Sequence, residues 1–201
     1  MKLVLATSNK GKVREIKALC KEYEVVAYSE LIDEFEIIED ALTFKENALI
    51  KARAVFNALN KKMPQELNDI IVLADDSGIS VDILEGEPGI YSARYAGKDA
   101  NDKDNLYKLI DEIKAKNVTS SPAHYTAAIA IVTKTSEYSV HGWMYGTATT
   151  KTAGDGGFGY DPLFIPHGYD KTLGELEESV KQKLSHRAKA LSLAKRILQS
   201  L

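Results

Sequence analysis

The chain has 201 residues, 44% hydrophobic and 27% charged, a balance that excludes a disordered polypeptide and leaves enough apolar side chain for a proper core. Lys and Arg total 26 against 29 for Asp and Glu, so the formal charge of −3 excludes the basic field that captures nucleic acid at long range; any anionic ligand must meet a local cluster. The one cysteine, Cys20, excludes an intrachain disulfide and fits a reducing compartment, and no apolar run approaches the ~20 residues that span a bilayer.

From Met1 to Ala6 the chain runs directly into a strand, Lys2–Ala6, and not into a signal peptide, which implies a cytosolic location. Residues 11–23 follow as a helix with Val13, Ile16, Ala18, Leu19 and Cys20 on its buried side. The join reads Thr7-Ser8-Asn9-Lys10-Gly11-Lys12. Hydroxyl, amide and ammonium groups there surround a helix N-terminus, where unpaired N–H groups and the helix dipole favour an anion. It is not a Walker loop, which needs an earlier glycine and a Ser or Thr after Gly-Lys. Ser8 or Asn9 capping the helix accounts for the same residues without a ligand. Glu36, Glu39 and Asp40 precede Thr43-Phe44-Lys45-Glu46, a capping box that opens a helix running to about Leu59. Asn47 and Lys51 share one face of that helix; they point together into a cleft, or Lys51 belongs to a solvated face.

The run Ile70–Ala74 has the composition of a buried strand and delivers Asp75 and Asp76 at its end, followed by Ser77 and Gly78. Open α/β sheets put ligands at such ends, and paired carboxylates suit a hard cation, although capping and turn closure use the same residues. After a Gly-Pro-Gly loop at 86–89, Leu106, Leu109, Ile110 and Ile113 mark an amphipathic helix over 105–116. The period then changes to two, and 125–133 and 138–147 read as an antiparallel strand pair. The glycine-rich loop at 153–159 leads into Gly157-Phe158-Gly159-Tyr160-Asp161-Pro162. Its glycines let backbone approach a flat ligand, Phe158 offers a stacking face, and Asp161 before proline is expected to be extended. Lys181, Ser185, His186 and Arg187 gather cationic groups at the start of a last helix, 185–201, with Ser185 as N-cap, a set that suits an anion or a purine carbonyl. No repeat or linker divides the chain. Residues 1–201 therefore read as one α/β domain, a mixed twisted sheet with flanking helices in two lobes around a central substrate groove.

Six segments together resemble the inosine/xanthosine triphosphate pyrophosphatase family, which hydrolyses noncanonical purine nucleoside triphosphates. They are T-S-N-K-G-K at 7–12, E-D-A-L-T-F-K-E-N-A at 39–48, A-D-D-S-G at 74–78, G-I-Y-S-A-R-Y-A-G at 89–97, G-G-F-G-Y-D-P at 156–162 and S-H-R at 185–187, covering essentially the whole chain. Ser8 and Ala41 stand where many members carry glycine, departures that remove no functional group. The resemblance implies cleavage between the α- and β-phosphates by an activated water, with Mg²⁺ as metal. It implies Glu39 and Asp76 as metal ligands, Asp76 as the residue that activates the water, and Lys10, Lys12 and Lys51 as neutralisers of phosphate charge. Thr7, Ser8, Asn9, Gly11 and Ser77 would contact phosphates and sugar, while Phe158, Gly159, Tyr160, Asp161, Lys181, His186 and Arg187 would enclose the base. It also implies a homodimer. Tyr91, Arg94 and Tyr95, close together in 89–97, are candidates for part of the interface because aromatics and Arg are enriched in such patches, or they pack against the active-site groove. Charge and hydropathy leave neither a membrane nor a stable nucleic-acid partner expected. A Maf-like pyrophosphatase is disfavoured by the S-H-R and G-G-F-G-Y-D-P segments. A catalytically silent nucleotide- or RNA-binding module is disfavoured by the retained Glu39 and Asp76 and the acidic charge.

Overall fold

The computed structural model describes residues 2–201, so Met1 lies outside the described residues. In chain order the elements are β1 (Lys2–Leu5), α1 (Lys10–Leu19), β2 (Glu24–Ala27), α2 (Phe44–Lys62), β3 (Ile70–Val81), α3 (Asp102–Ala115), β4 (Ser120–Val132), β5 (Glu137–Thr149), β6 (Phe164–Pro166), α4 (Glu178–Leu184) and α5 (His186–Leu198). The strands form one six-stranded sheet ordered β2-β1-β3-β4-β5-β6. It is mixed, as expected: β1 is parallel to both neighbours, with Leu5 opposite Leu73, whereas β6 is antiparallel to β5.

Helix starts follow the capping chemistry. Thr43 Oγ1 accepts the Glu46 N–H at 3.2 Å and donates to Glu46 Oε2 at 2.8 Å, starting α2 where the capping box puts it. Asn101 caps α3 and Asp104 reciprocates, so that helix begins ahead of the first apolar repeat at Leu106. Three elements, β2, β6 and α4, are too short to carry a legible period; β2 has four residues and β6 three, ending in proline.

The strand expected to stop at Ala74 continues to Val81, so Asp75, Asp76, Ser77 and Gly78 lie within β3 and not at its end. The apolar run stops because the side chains become polar. The backbone continues because β3, lying between β1 and β4 in the sheet, still has a ladder to join.

Two compact units divide the chain, one made of residues 1–76, 127–142 and 187–201, the other of 77–126 and 143–186. In the first, alternation along β1 and β3 fills two cores. Leu3, Leu5, Ile71 and Leu73 pack with Ile16 and Cys20 of the α1 region and Ala190 and Leu191 of α5, whereas Val4, Val72 and Ala74 pack with Ala48, Ala52 and Val55 of α2. Cys20 is a buried free thiol, pushed up to about 11 by that burial. In the second unit Ile79 and Val81 pack with Leu109, Ile110 and Ile113 of α3. Gly78 is required there by close approach: a Cβ would run into the Gly89 carbonyl and Ser92. Ser92 Oγ fastens the same contact, accepting the Ile79 N–H at 3.0 Å and donating to the Gly89 carbonyl at 2.6 Å. Among the described residues no helix is long and apolar enough to cross a membrane.

Candidate active site

Successive side chains of a strand point to opposite faces, so the adjacent carboxylates of β3 look away from each other, Asp75 toward α1 and α5, Asp76 toward α2. On the α2 side Lys51 Nζ lies 3.0 Å from Asp76 Oδ1 and 2.5 Å from Glu39 Oε2. Lys51 is only 9% exposed, which sets aside the solvated-face reading, and Asn47, one turn earlier, is buried beside it on the helix. Burial opposes the Lys51 ammonium, yet Asp76 and Glu39 outweigh it and hold the lysine charged. For Asp76 the balance runs the other way. Burial pushes its carboxyl above the usual range, with Lys51 and Lys12 compensating only in part. Asp76 Oδ2 is buried and has no hydrogen-bond partner among the described residues. Glu36 and Asp40, flanking Glu39 in sequence, are exposed.

On the opposite face Asp75 Oδ2 lies 2.7 Å from Lys12 Nζ and 3.4 Å from Arg187 Nη2, and Arg187 Nη1 pairs with Glu15. Lys12 also donates to the Asp75 carbonyl at 3.3 Å. Both Asp75 and Arg187 are buried, Arg187 at 2% exposure. Burial alone would raise the Asp75 carboxyl, but Arg187 and Lys12 hold it far below the usual carboxylate range. The Arg187 guanidinium is likewise opposed by burial and held charged by Asp75 and Glu15. Sequence reasoning missed Glu15. Its only local signal is that it follows Lys12 by one turn of α1, and its partner Arg187 lies 172 positions away. In the join before α1, Asn9 Oδ1 accepts the Lys12 N–H at 3.0 Å and Thr7 Oγ1 accepts the Asn9 N–H at 3.2 Å. Asn9 therefore does cap the helix. Ser8, Asn9 and Lys10 are exposed, and Gly11 is partly so. The first unit thus brings together Glu39, Lys51 and Asp76 on one face and Lys12, Asp75 and Arg187 on the other.

In the second unit Ser77 follows Asp76 in β3 and is partly exposed. Gly157 and Gly159 take positive φ, 86° and 60°, and a Cβ on Gly157 would occupy the space of the Asp161 carboxylate. That carboxylate accepts the Phe158 N–H at 3.3 Å, and Phe158 is 37% exposed. Asp161 is not extended as expected. It opens a 3₁₀ turn, Asp161–Leu163, because Pro162 needs no N–H in a first helical turn and its φ already suits one. Tyr160 is buried, and its hydroxyl donates to the Ser92 carbonyl at 2.7 Å. Lys181 is buried on α4 with Glu178 at 3.6 Å. His186 is buried and stacks on Tyr125, ring centroids 4.7 Å apart and 11° from parallel. Ser185, the expected N-cap of the last helix, is buried between α4 and α5. In the segment 89–97, Tyr91 is half exposed beneath the Arg94 guanidinium, whereas Tyr95 is engaged by Glu87 at its hydroxyl and by Lys108 over its ring.

Residues 3–197 match the Ham1 family. The dITP/XTP pyrophosphatase of Sulfurimonas denitrificans is 71% identical over 201 residues, all of this chain and all of that protein. The dITP/XTP pyrophosphatase of a Sulfurovum species is 60% identical over 201 residues, spanning 100% of this chain and 95% of the relative. Among solved structures, the Staphylococcus aureus Ham1 protein is similar at a TM-score of 0.84 and 36% identity, covering 100% of this chain and 99% of that one. A Ham1 protein from Coxiella burnetii is similar at 0.83 and 31%, with both chains covered in full.

Proposed function

The chain belongs to the Ham1 family, and on that premise we propose that it hydrolyses the noncanonical purine nucleoside triphosphates ITP, dITP and XTP to the nucleoside monophosphate and pyrophosphate. The observation that carries the reading is the Glu39–Lys51–Asp76 cluster. It joins two carboxylates through one buried ammonium and leaves Asp76 Oδ2 without a hydrogen-bond partner among the described residues. Such an oxygen, with Glu39 beside the same lysine, fits a hard divalent cation, and Mg²⁺ takes one or two carboxylates, substrate phosphates and retained waters. Glu39 and Asp76 would hold that ion, which when bound neutralises charge on the phosphates.

The protein's own groups do the rest. Asp76, ionised against its burial, takes the proton of the water that attacks the α-phosphorus as the bond to the departing pyrophosphate breaks. Lys51 faces the same centre as a fixed positive charge, and Lys10 and Lys12 add theirs from the start of α1. Thr7, Ser8, Asn9, Gly11 and Ser77 serve the phosphates and sugar, while Phe158, Gly159, Tyr160, Asp161, Lys181, His186 and Arg187 serve the base. For Tyr160 the buried hydroxyl bond to Ser92 supports a role in shaping the loop, and the exposure of Phe158 supports a stacking role. Each unit is assembled from separate stretches of chain, which supports reading 1–201 as one functional domain. A cytosolic setting belongs to the same proposal and is supported by the use of one cysteine, Cys20, which can form no intrachain disulfide.

Base selectivity tests the reading. A 6-keto purine presents an acceptor where adenine presents a donor, and a dry site built to donate there leaves its donors unpaired against adenine. The kcat/KM for dITP and XTP is expected to exceed that for dATP and dGTP by at least ~10²-fold. Equal rates across the four nucleotides would replace this reading with a general nucleotide pyrophosphatase. The homodimer is a separate proposal, supported by the family resemblance. Light scattering at micromolar concentration is expected to give roughly twice the 22.1 kDa chain mass, and a monomer there would remove it.

A further inference from the structure

Glu39 lies in a stretch without regular structure, residues 33–41, between the Tyr28–Glu30 turn and α2. A metal-holding carboxylate on irregular backbone needs that backbone fixed, and α2 reaches it twice. Lys51 takes the Glu39 carboxylate, and one turn earlier Asn47 Oδ1 accepts the Ala41 N–H at 3.0 Å, two residues beyond Glu39. Asn47 is 1% exposed and faces the same side of α2 as Lys51. Of the carboxamide's two ends only the oxygen can accept a backbone N–H, so its orientation is fixed by this bond. Its Nδ2 is left buried without a hydrogen-bond partner among the described residues. Tolerating an unsatisfied donor costs free energy, and what it maintains is the acceptor's grip on the Glu39 segment.

The geometry points to Asn47 as a positioning residue that clamps the backbone at Ala41 and so sets the Glu39 carboxylate for the divalent cation. This rests on the reading of Glu39 as a metal ligand. Lys51 alone fixes one end of a long, rotatable side chain; the Ala41 bond fixes the backbone from which that side chain springs. Partners that orient a ligand in this way typically change metal affinity by 10- to 100-fold when removed.

The experiment measures Mg²⁺ and Mn²⁺ binding by calorimetry without nucleotide, for the wild type, Asn47→Ala, Asn47→Asp and Glu39→Gln. Asn47→Ala is expected to weaken binding by roughly 10-fold or more, while Asn47→Asp, which keeps an oxygen facing Ala41, stays within about threefold of wild type. Hydrogen exchange on the wild type gives a readout that needs no variant to fold, and the Ala41 amide is expected to be protected. A folded Asn47→Ala protein with unchanged metal affinity, an Asp variant as impaired as the Ala variant, or an unprotected Ala41 amide would each overturn the proposal. If Glu39→Gln binds metal as the wild type does, it is the metal-ligand reading that fails. The Ala41 exchange rate then still reports separately on whether the clamp exists.

Discussion

Asp76→Asn is expected to lower kcat by at least ~10²-fold at saturating Mg²⁺ while leaving the protein folded, the minimum that loss of a positioned general base implies. The amide keeps the volume and can still accept from Lys51, but it cannot take a proton from water. The same substitution makes a second, opposite prediction for stability. Burial raises the Asp76 carboxyl in the folded protein above its unfolded value, so folding is favoured by the protonated form, and that contribution is lost as pH rises through the raised value. Above that raised value the ionised carboxylate is therefore a cost to the fold. Measured in EDTA at pH 7, Asp76→Asn should melt at or above the wild-type temperature, and the difference should close in acid. A residue that weakens the fold in its working protonation state while being needed for turnover is the signature of a group held for chemistry. Turnover within about tenfold of wild type would remove Asp76 from the role of base. A marked fall in melting temperature would mean that the Lys51 ion pair is structural.

How much of this site was legible in the sequence depends on the range of the interactions concerned. Thr43 and Glu46 lie three residues apart, so the capping box that starts α2 is local and reads directly. Asn47 and Lys51 are one turn apart and fall on one face by helix geometry alone. What the residues could not tell is which face of the sheet each carboxylate meets. The sequence Asp75-Asp76 suggested one acidic pair at a strand end, whereas a continuing strand sends the two to separate partners, Lys12 and Arg187 on one side and Lys51 on the other. The apolar run ends at Ala74, but the strand runs on to Val81. Polar side chains stay in a strand when they have partners, and here those partners lie on α1, α2 and α5, far away in sequence. Glu15 is the clearest case, since a glutamate in an amphipathic helix has no distinguishing mark until Arg187 is folded against it. The Pro162 turn failed for a different reason. The bias of a residue before proline toward extended backbone is an average, and at Asp161 it is overridden by the Leu163 N–H bonding back to the Tyr160 carbonyl at 3.1 Å.

Arg187→Met should lower the unfolding free energy by about 3 kcal/mol in urea melts with an unchanged slope, the lower end of the range for breaking a buried ion pair. The lower end applies because, of the two carboxylates left behind, Asp75 keeps Lys12 at 2.7 Å and Glu15 is partly exposed. Expectation from sequence made Arg187 a reader of the base, yet its guanidinium is engaged by Asp75 and Glu15 and is buried, which gives it a structural duty whatever else it does. Replacing both charges tests this directly. Asp75→Asn with Arg187→Met removes both charges of that pair and leaves only Lys12 and Glu15, which are partly exposed, so the double variant should lose less than the sum of the single losses by about 1 kcal/mol or more. The pH dependence has the opposite sign to that of Asp76. Asp75 is held below its unfolded value, so its stabilisation is complete above the ordinary carboxylate range and is lost as pH falls. The stability gap between wild type and Asp75→Asn should therefore narrow in acid. If Arg187→Met instead melts like the wild type and loses discrimination between dITP and dATP, Arg187 is the base reader and the buried pairs contribute nothing measurable. If stability falls while discrimination among folded molecules persists, Arg187 acts as a pillar joining α1, β3 and α5, and Lys181 and His186 are left as the side chains proposed to read the purine.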